Sequence, residues 1–235
     1  MIQDHSSDYK KVGHFASAPK ISVIIPMAGP EEPVRDLLQD LNRRGVSDDI
    51  ILSGPATLAS MRLPTEGLRI LTRSPSSRSI SMNAGAEIAR NQWLWFLHAD
   101  TRLPDDLDNL PARIETDPGA LWWFNLRFHD GPRRMAVNTL GVWLRSHWLG
   151  CPFGDQGFLM SRRLFLALAG FAQHHPYGED HVFTWQCRRA GVALRCTGLT
   201  LQTSARRYQD QGWTTTTGKH LRLWLRQAWQ QWRSQ

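Results

Sequence analysis

Four short apolar runs, interleaved with segments of helical period, limit the folds open to this chain. Ile21-Ser22-Val23-Ile24-Ile25-Pro26 is β-branched and stopped by proline, the mark of a buried strand that ends in a loop. Asp49-Ile50-Ile51-Leu52, Leu68-Arg69-Ile70-Leu71 and Trp93-Leu94-Trp95-Phe96-Leu97 are of the same kind. Val34, Leu37, Leu38 and Leu41 recur at helical spacing over Glu32–Arg44, with Gly45 as the stop. Met82, Ala86 and Ala89 mark a second helix over Ser81–Arg90. Strand, helix, strand, strand, helix, strand is the order of an α/β layered sheet, mostly parallel. In such sheets ligands bind beyond the carboxyl ends of the strands, where Pro26, Ser53 and Asp100 stand.

The second half is less regular. It predicts strands over Ala120–Phe128, Gly154–Met160 and Val192–Leu201. It predicts helices over Arg134–Trp148, Ser161–Ala169 (closed by Gly170) and Asp180–Ala190 (stopped by Gly191). No linker is evident, and 235 residues fit one domain. We divide the chain into a loose polar arm over 1–19, a single α/β domain over 20–217, and a basic amphipathic helix over 218–235.

Composition removes several classes. Hydrophobic residues at 41% against 21% charged can bury a real core, which excludes wholesale disorder. Three cysteines with no CxxC pair exclude a disulfide framework and a zinc knuckle. The N-terminal residues show no apolar signal region, and the apolar runs fall far short of the roughly 20 residues of a membrane span. The expectation is a cytoplasmic protein. The net charge of +7 lies in the C-terminal region. From His181 onward nine Lys and Arg residues face one acid, Asp210. Such a field suits nucleotide phosphates, a lipid surface or, least expected, nucleic acid; it equally suits a solvated basic face. At about 100° per residue, Leu221, Trp224, Leu225, Ala228, Trp229 and Trp232 share one face of the last helix, beside Arg222, Arg226 and Arg233. That helix can lie peripherally on the inner face of the membrane or dock on its own domain.

Four clusters can carry chemistry. His98-Ala99-Asp100 follows an apolar strand directly, which suits a divalent cation such as Mg²⁺ or Mn²⁺; the plain alternative is a turn-capping Asp. Glu179-Asp180 precedes a helix and can supply a general base, or merely complement the helix dipole. Gly154-Asp155-Gln156-Gly157 can present two polar side chains to a sugar or acceptor, or be only a turn. Arg206-Arg207 can clamp phosphate, or be a surface charge pair.

In their joint order these pieces resemble a family-2 glycosyltransferase of the GT-A fold, and more narrowly its small bacterial radical-SAM/selenodomain-associated subgroup. The resemblance rests on ISVIIP (21–26), R-x-x-x-MNAGA (78–86), WLWFLHADTRLP (93–104), GDQGF (154–158), AGF (169–171), GED (178–180) and TSARRY (203–208), and covers about Ile21 to Leu225. It implies a Rossmann-like, mostly parallel sheet flanked by helices and an inverting transfer from a nucleotide-diphosphate sugar, UDP-linked by preference, to an acceptor hydroxyl not named by the sequence. It implies Asp180 as catalytic base with Glu179 beside it, and Asp100 with His98 at a divalent metal. It implies Pro26, Ser53, Arg78, Asn83, Asp100, Arg206 and Arg207 on the nucleotide side, and Asp155 and Gln156 near sugar or acceptor. The chain departs from the family where Ser53 replaces the usual aspartate after the second strand, and where Ala28-Gly29-Pro30-Glu31-Glu32 replaces Tyr-Asn-Glu-Glu. Ser77 and Ile80 replace a usual glycine and arginine before MNAGA. The alternatives are a non-catalytic relative that binds nucleotide or glycan, and a basic membrane-surface or nucleic-acid binder.

Overall fold

The structure, a computed structural model, describes residues 19–29, 33–61, 63, 67–74, 77–173, 178–218, 222 and 226. Nearly all of the expected N-terminal arm, and of the expected helix over 218–235, lies outside the described residues.

One seven-stranded sheet organises the chain. Its strands are β1 (Ile21–Pro26), β2 (Asp49–Gly54), β3 (Leu68–Thr72), β4 (Trp93–Phe96), β5 (Leu121–Phe128), β6 (Leu159–Ser161) and β7 (Leu194–Thr203), in the order β3-β2-β1-β4-β6-β5-β7. β1 pairs in parallel with β2 and β4, β2 with β3, and β5 with β7. Only β6 runs the other way, antiparallel to both β4 and β5. The reversal matters for the site: the residues just before β6 come to the same rim as the carboxyl ends of β1, β4, β5 and β7.

The helices cover both faces of the sheet. They are α1 (Pro33–Arg43), α2 (Arg78–Ile88), α3 (Leu110–Glu115), α4 (Met135–His147), α5 (Arg162–Ala167), α6 (Glu179–Arg189) and α7 (Arg206–Gln211). On one face Val34, Leu37, Leu38 and Leu41 of α1, all buried, pack with Val23, Ile25, Leu52, Trp95 and Phe124. On the other, α2, α5 and α6 bring Met82, Phe165 and Phe183 against Ile24, Ile51, Leu94 and Phe96. Alternate residues of β1 thus feed opposite cores, as the period of two requires. Burying the four α1 side chains is worth about 6–12 kcal/mol before chain entropy is counted. At the amino-terminal rim, away from the site, buried Asp49 accepts from Ser22 Oγ at 2.6 Å and Arg90 N at 2.9 Å and pairs with Arg69, so its charge is fully compensated.

Two expectations change. The strand expected over Gly154–Met160 is a 3₁₀ turn, Gly154–Gln156, followed by the three-residue β6. Gly157 separates them at φ 63°, where a Cβ would sit 2.5 Å from Leu201 Cδ1, so only glycine allows the chain to turn there. α3 and α7, six residues each, have too few turns to show a period in the sequence. Among the described residues no helix is long and apolar enough to cross a membrane.

Candidate active site

The carboxyl-terminal rim gathers the chemistry. A small pocket there is lined by Pro26 of β1, Phe96, Leu97 and His98 after β4, Arg78 and Met82 of α2, Gly154, Phe158, Phe171 and Asp180. Residues separated by more than 150 positions meet because β1, β4 and the turn before β6 end side by side.

Arg78 is the bridge across it. As a pure donor its Nη2 bonds Nε2 of His98, so that nitrogen accepts and the ring proton of a neutral His98 belongs on Nδ1. Its Nε lies 3.3 Å from Glu179 Oε1. Asp180 is held from two sides: Oδ2 accepts from Gly154 N at 2.8 Å, and Oδ1 from His181 N at 2.8 Å. A Cβ on Gly154 would lie 3.0 Å from Arg78 Nη2 and 3.2 Å from Asp180 Oδ2, so the glycine leaves room for both side chains against this turn. Burial pushes the Glu179 carboxyl above its ordinary range and Asp180 adds to the push, while Arg78 draws it back.

Asp155 stands behind this group. Its Oδ1 is shielded from solvent and has no hydrogen-bond partner. Burial raises its pKa, Arg145 opposes, and Asp180 and Asp100 add to the rise. Arg145 of α4, half-buried with its Nε shielded from solvent, lies with its guanidinium carbon 3.4 Å from the centre of the Phe153 ring. Burial lowers its pKa and Asp155 partly restores it. The sequence reading missed Arg145; the signal was a lone cation on the same side of the helical period as Met135 and Val142.

Gln156 turns inward instead of facing a ligand. It is fully buried. Its Oε1 accepts from Ser146 Oγ (2.8 Å), Phe153 N (3.1 Å) and Arg145 Nη2 (3.2 Å), and its Nε2 donates to Phe124 O at 3.1 Å. The β5–β7 register slips where Trp123 and Asn125 pair with Cys196 and Thr200, so the extra residues bulge from β7 opposite Phe124, and the Phe124 carbonyl finds this side-chain partner. Asn83 is spent in the same way: Nδ2 donates to Phe171 O at 2.8 Å and Oδ1 accepts from Phe171 N at 2.9 Å, pinning the Ala169–Phe171 turn that puts Phe171 in the pocket wall. Neither amide lines the pocket.

The remaining candidates lie around the rim. Ser53, wholly buried at the end of β2, has an Oγ without a hydrogen-bond partner. Arg206, exposed, opens α7, which also contains Arg207, just beyond β7. The approach to α7 is fixed by Asp130, which accepts from Ser204 Oγ at 2.7 Å and from Ala205 N. Burial works to raise the Asp130 pKa, but these donors outweigh it and hold it below the usual carboxylate range.

Asp100 follows β4 in a tight turn in which Thr101 N donates to His98 O at 3.1 Å. Its carboxylate is half-buried and receives no hydrogen bond from a described residue. No cluster of three His, Cys, Asp or Glu side chains among the described residues forms a closed metal cage. One hard carboxylate near the carboxylates of Asp155 and Asp180 fits Mg²⁺ or Mn²⁺, which take most of their ligands from substrate phosphates and water. It does not fit a structural zinc.

No family model and no curated protein matches the sequence. Solved structures do. S. aureus TarS matches with a TM-score of 0.58 at 12% identity, over 79% of this chain and 37% of that one. The 1–349 form of S. aureus TarS matches with a TM-score of 0.60 at 12% identity, over 79% and 60%. The mannosyltransferase PcManGT from Pyrobaculum calidifontis, in complex with GDP-Man and Mn²⁺, matches with a TM-score of 0.52 at 16% identity, over 80% and 58%. The chain thus spans between 37% and 60% of the proteins it matches. The sheet order, the helices on both faces and these likenesses together give the chain the α/β fold of the GT-A glycosyltransferases.

Proposed function

We propose that the protein is an inverting family-2 glycosyltransferase that moves a hexosyl group from a nucleotide-diphosphate sugar to an acceptor hydroxyl. The observation that carries this reading is the orientation of Asp180. Two backbone amides clamp its carboxylate in the pocket wall, next to a cation, at the rim where the GT-A sheet ends. The narrower likeness to the radical-SAM/selenodomain-associated subgroup rests on the order of the sequence motifs.

The geometry supports the following roles. Asp180 takes the proton of the acceptor hydroxyl as its oxygen bonds to the anomeric carbon. The bond from that carbon to the diphosphate breaks, and the nucleoside diphosphate leaves. Arg78 offers a guanidinium to the diphosphate, and Arg206 and Arg207 add positive charge farther along the rim. Phe96, Phe158 and Phe171 exclude water from the reacting centre. Asp100 would hold the divalent cation, which supplies neutralisation of the leaving diphosphate. His98 keeps Arg78 in place through Nε2 rather than acting as a ligand by that nitrogen. Ser53 is the candidate polar contact to the nucleotide base. The GDP-Man and Mn²⁺ of the Pyrobaculum enzyme support a nucleotide sugar and a divalent cation in this fold.

Calorimetric titration with UDP, GDP and other nucleoside diphosphates, each with and without Mn²⁺, tests the reading. The expected result is binding of one nucleotide that needs the metal and disappears in Asp100→Ala. Absence of binding by all of them overturns it.

A further inference from the structure

Helix α4 presents its apolar side to solvent. At about 100° per residue, Val137, Leu140, Leu144 and Trp148 share one narrow stripe. They are 60%, 56%, 37% and 76% exposed, and Leu149 continues the stripe. The opposite side, which packs inward, carries Ser146, wholly buried. Trp143 flanks the stripe and leans on Trp148, ring centres 6.5 Å apart. No charged side chain interrupts it. A contiguous apolar face of this kind marks an interaction surface.

The charges around the stripe select its partner. Exposed Arg133 and Arg134 stand at one end. At the other end, exposed Arg188 donates to Leu149 O at 3.0 Å, with Arg189 next to it. The acid beside the first end, Asp130, is already engaged by Ser204 and Ala205. A second copy docked face to face by two-fold symmetry would bring basic ends together. The chain's own residues 219–235 carry Lys219, Arg222, Arg226 and Arg233 and no acid, so they meet the same repulsion. An anionic lipid surface satisfies both parts, apolar stripe and basic ends.

We propose that α4 docks the protein on anionic membranes, with Val137, Leu140, Leu144, Trp148 and Leu149 in the headgroup–acyl boundary and the flanking arginines on lipid phosphates. The inner side of the same helix holds Gln156 through Arg145 and Ser146, so the lipid and the catalytic turn lie on opposite sides of one helix. The docking goes beyond sugar transfer and does not depend on it, since its assay needs no donor.

The test is flotation of the full chain with phosphatidylcholine vesicles, with and without phosphatidylglycerol. Binding is expected only with phosphatidylglycerol. Leu140→Ser/Leu144→Ser and, separately, Trp148→Ser should each weaken it about tenfold or more, with unchanged thermal melts because these side chains are exposed. Should the apolar variants melt early, Arg133→Glu provides an independent readout, with binding weakened about fivefold or more. No binding to anionic vesicles overturns the proposal. So does binding that both the apolar variants and Arg133→Glu leave intact, which would place the contact in the basic C-terminal residues. A dimer in light scattering that the apolar variants dissolve, without vesicle binding, overturns it in favour of a second copy.

Discussion

Gln156→Leu separates a structural glutamine from a ligand-binding one. The wild-type side chain makes four hydrogen bonds. Two of its partners keep other contacts on substitution: Ser146 Oγ still reaches Val142 O at 2.7 Å, and Arg145 still lies over the Phe153 ring. The other two, Phe153 N and the Phe124 carbonyl opposite the β7 bulge, lose this partner. At about 1–3 kcal/mol for each of the two buried groups left unpaired, less about 1 kcal/mol for the added apolar side chain, the loss is about 1–5 kcal/mol. For a chain of this size that lowers Tm by about 2–20 °C. Urea unfolding followed by circular dichroism measures it. Gln156→Glu keeps the acceptor and loses the donor to Phe124 O, so it should fall between wild type and Gln156→Leu. A loss under about 1 kcal/mol with full cooperativity would refute the reasoning and return Gln156 to the sugar side of the site.

Two further predictions follow from the carboxylates. Asp155 has a folded-state pKa above its ordinary 3.8, so the folded protein binds more protons than the unfolded one from that value up to the raised one, and stability falls as pH rises through this window. Asp155→Asn should therefore melt higher than wild type at neutral pH and match it below 3.8, while losing donor or acceptor use; equal melts at neutral pH would contradict the assignment. Asp180→Asn should bind nucleotide as wild type does yet transfer about 10²–10⁴-fold more slowly, and full activity in a radiolabelled transfer assay would remove Asp180 from the mechanism.

Strands β1, β2 and β4 were legible because each is buried on both faces and reads as an apolar run; β3, at the sheet edge, is partly exposed and carries a weaker one. Ile21–Pro26 and Trp93–Phe96 fall where the sequence puts them. The turn at Gly154 was not legible. Its apolar neighbours Phe158, Leu159 and Met160 carry the same signal as a longer strand, and only tertiary crowding at Gly157 breaks it. The rim positions of Asp100, Asp180 and Arg78 could be reached from motif order. The inward turn of Gln156 and Asn83 could not, because an amide that serves a ligand and one that serves a bulge or a neighbouring turn have the same sequence. α4 was read as a helix, but its outward apolar side was invisible, since periodicity shows that a helix has two sides and not which one meets the protein.

Arg78 has its own counter-anion beside the pocket. With Glu179 Oε1 at 3.3 Å, the guanidinium is already answered by a carboxylate before any phosphate arrives. In the proposed reaction an incoming diphosphate exchanges partners with Glu179, and nucleoside diphosphate departure is assisted when the carboxylate returns. The ion pair ties α2 to α6, the nucleotide side and the base side of that proposed reaction. Donor arrival and release of α6 are then two ends of one exchange.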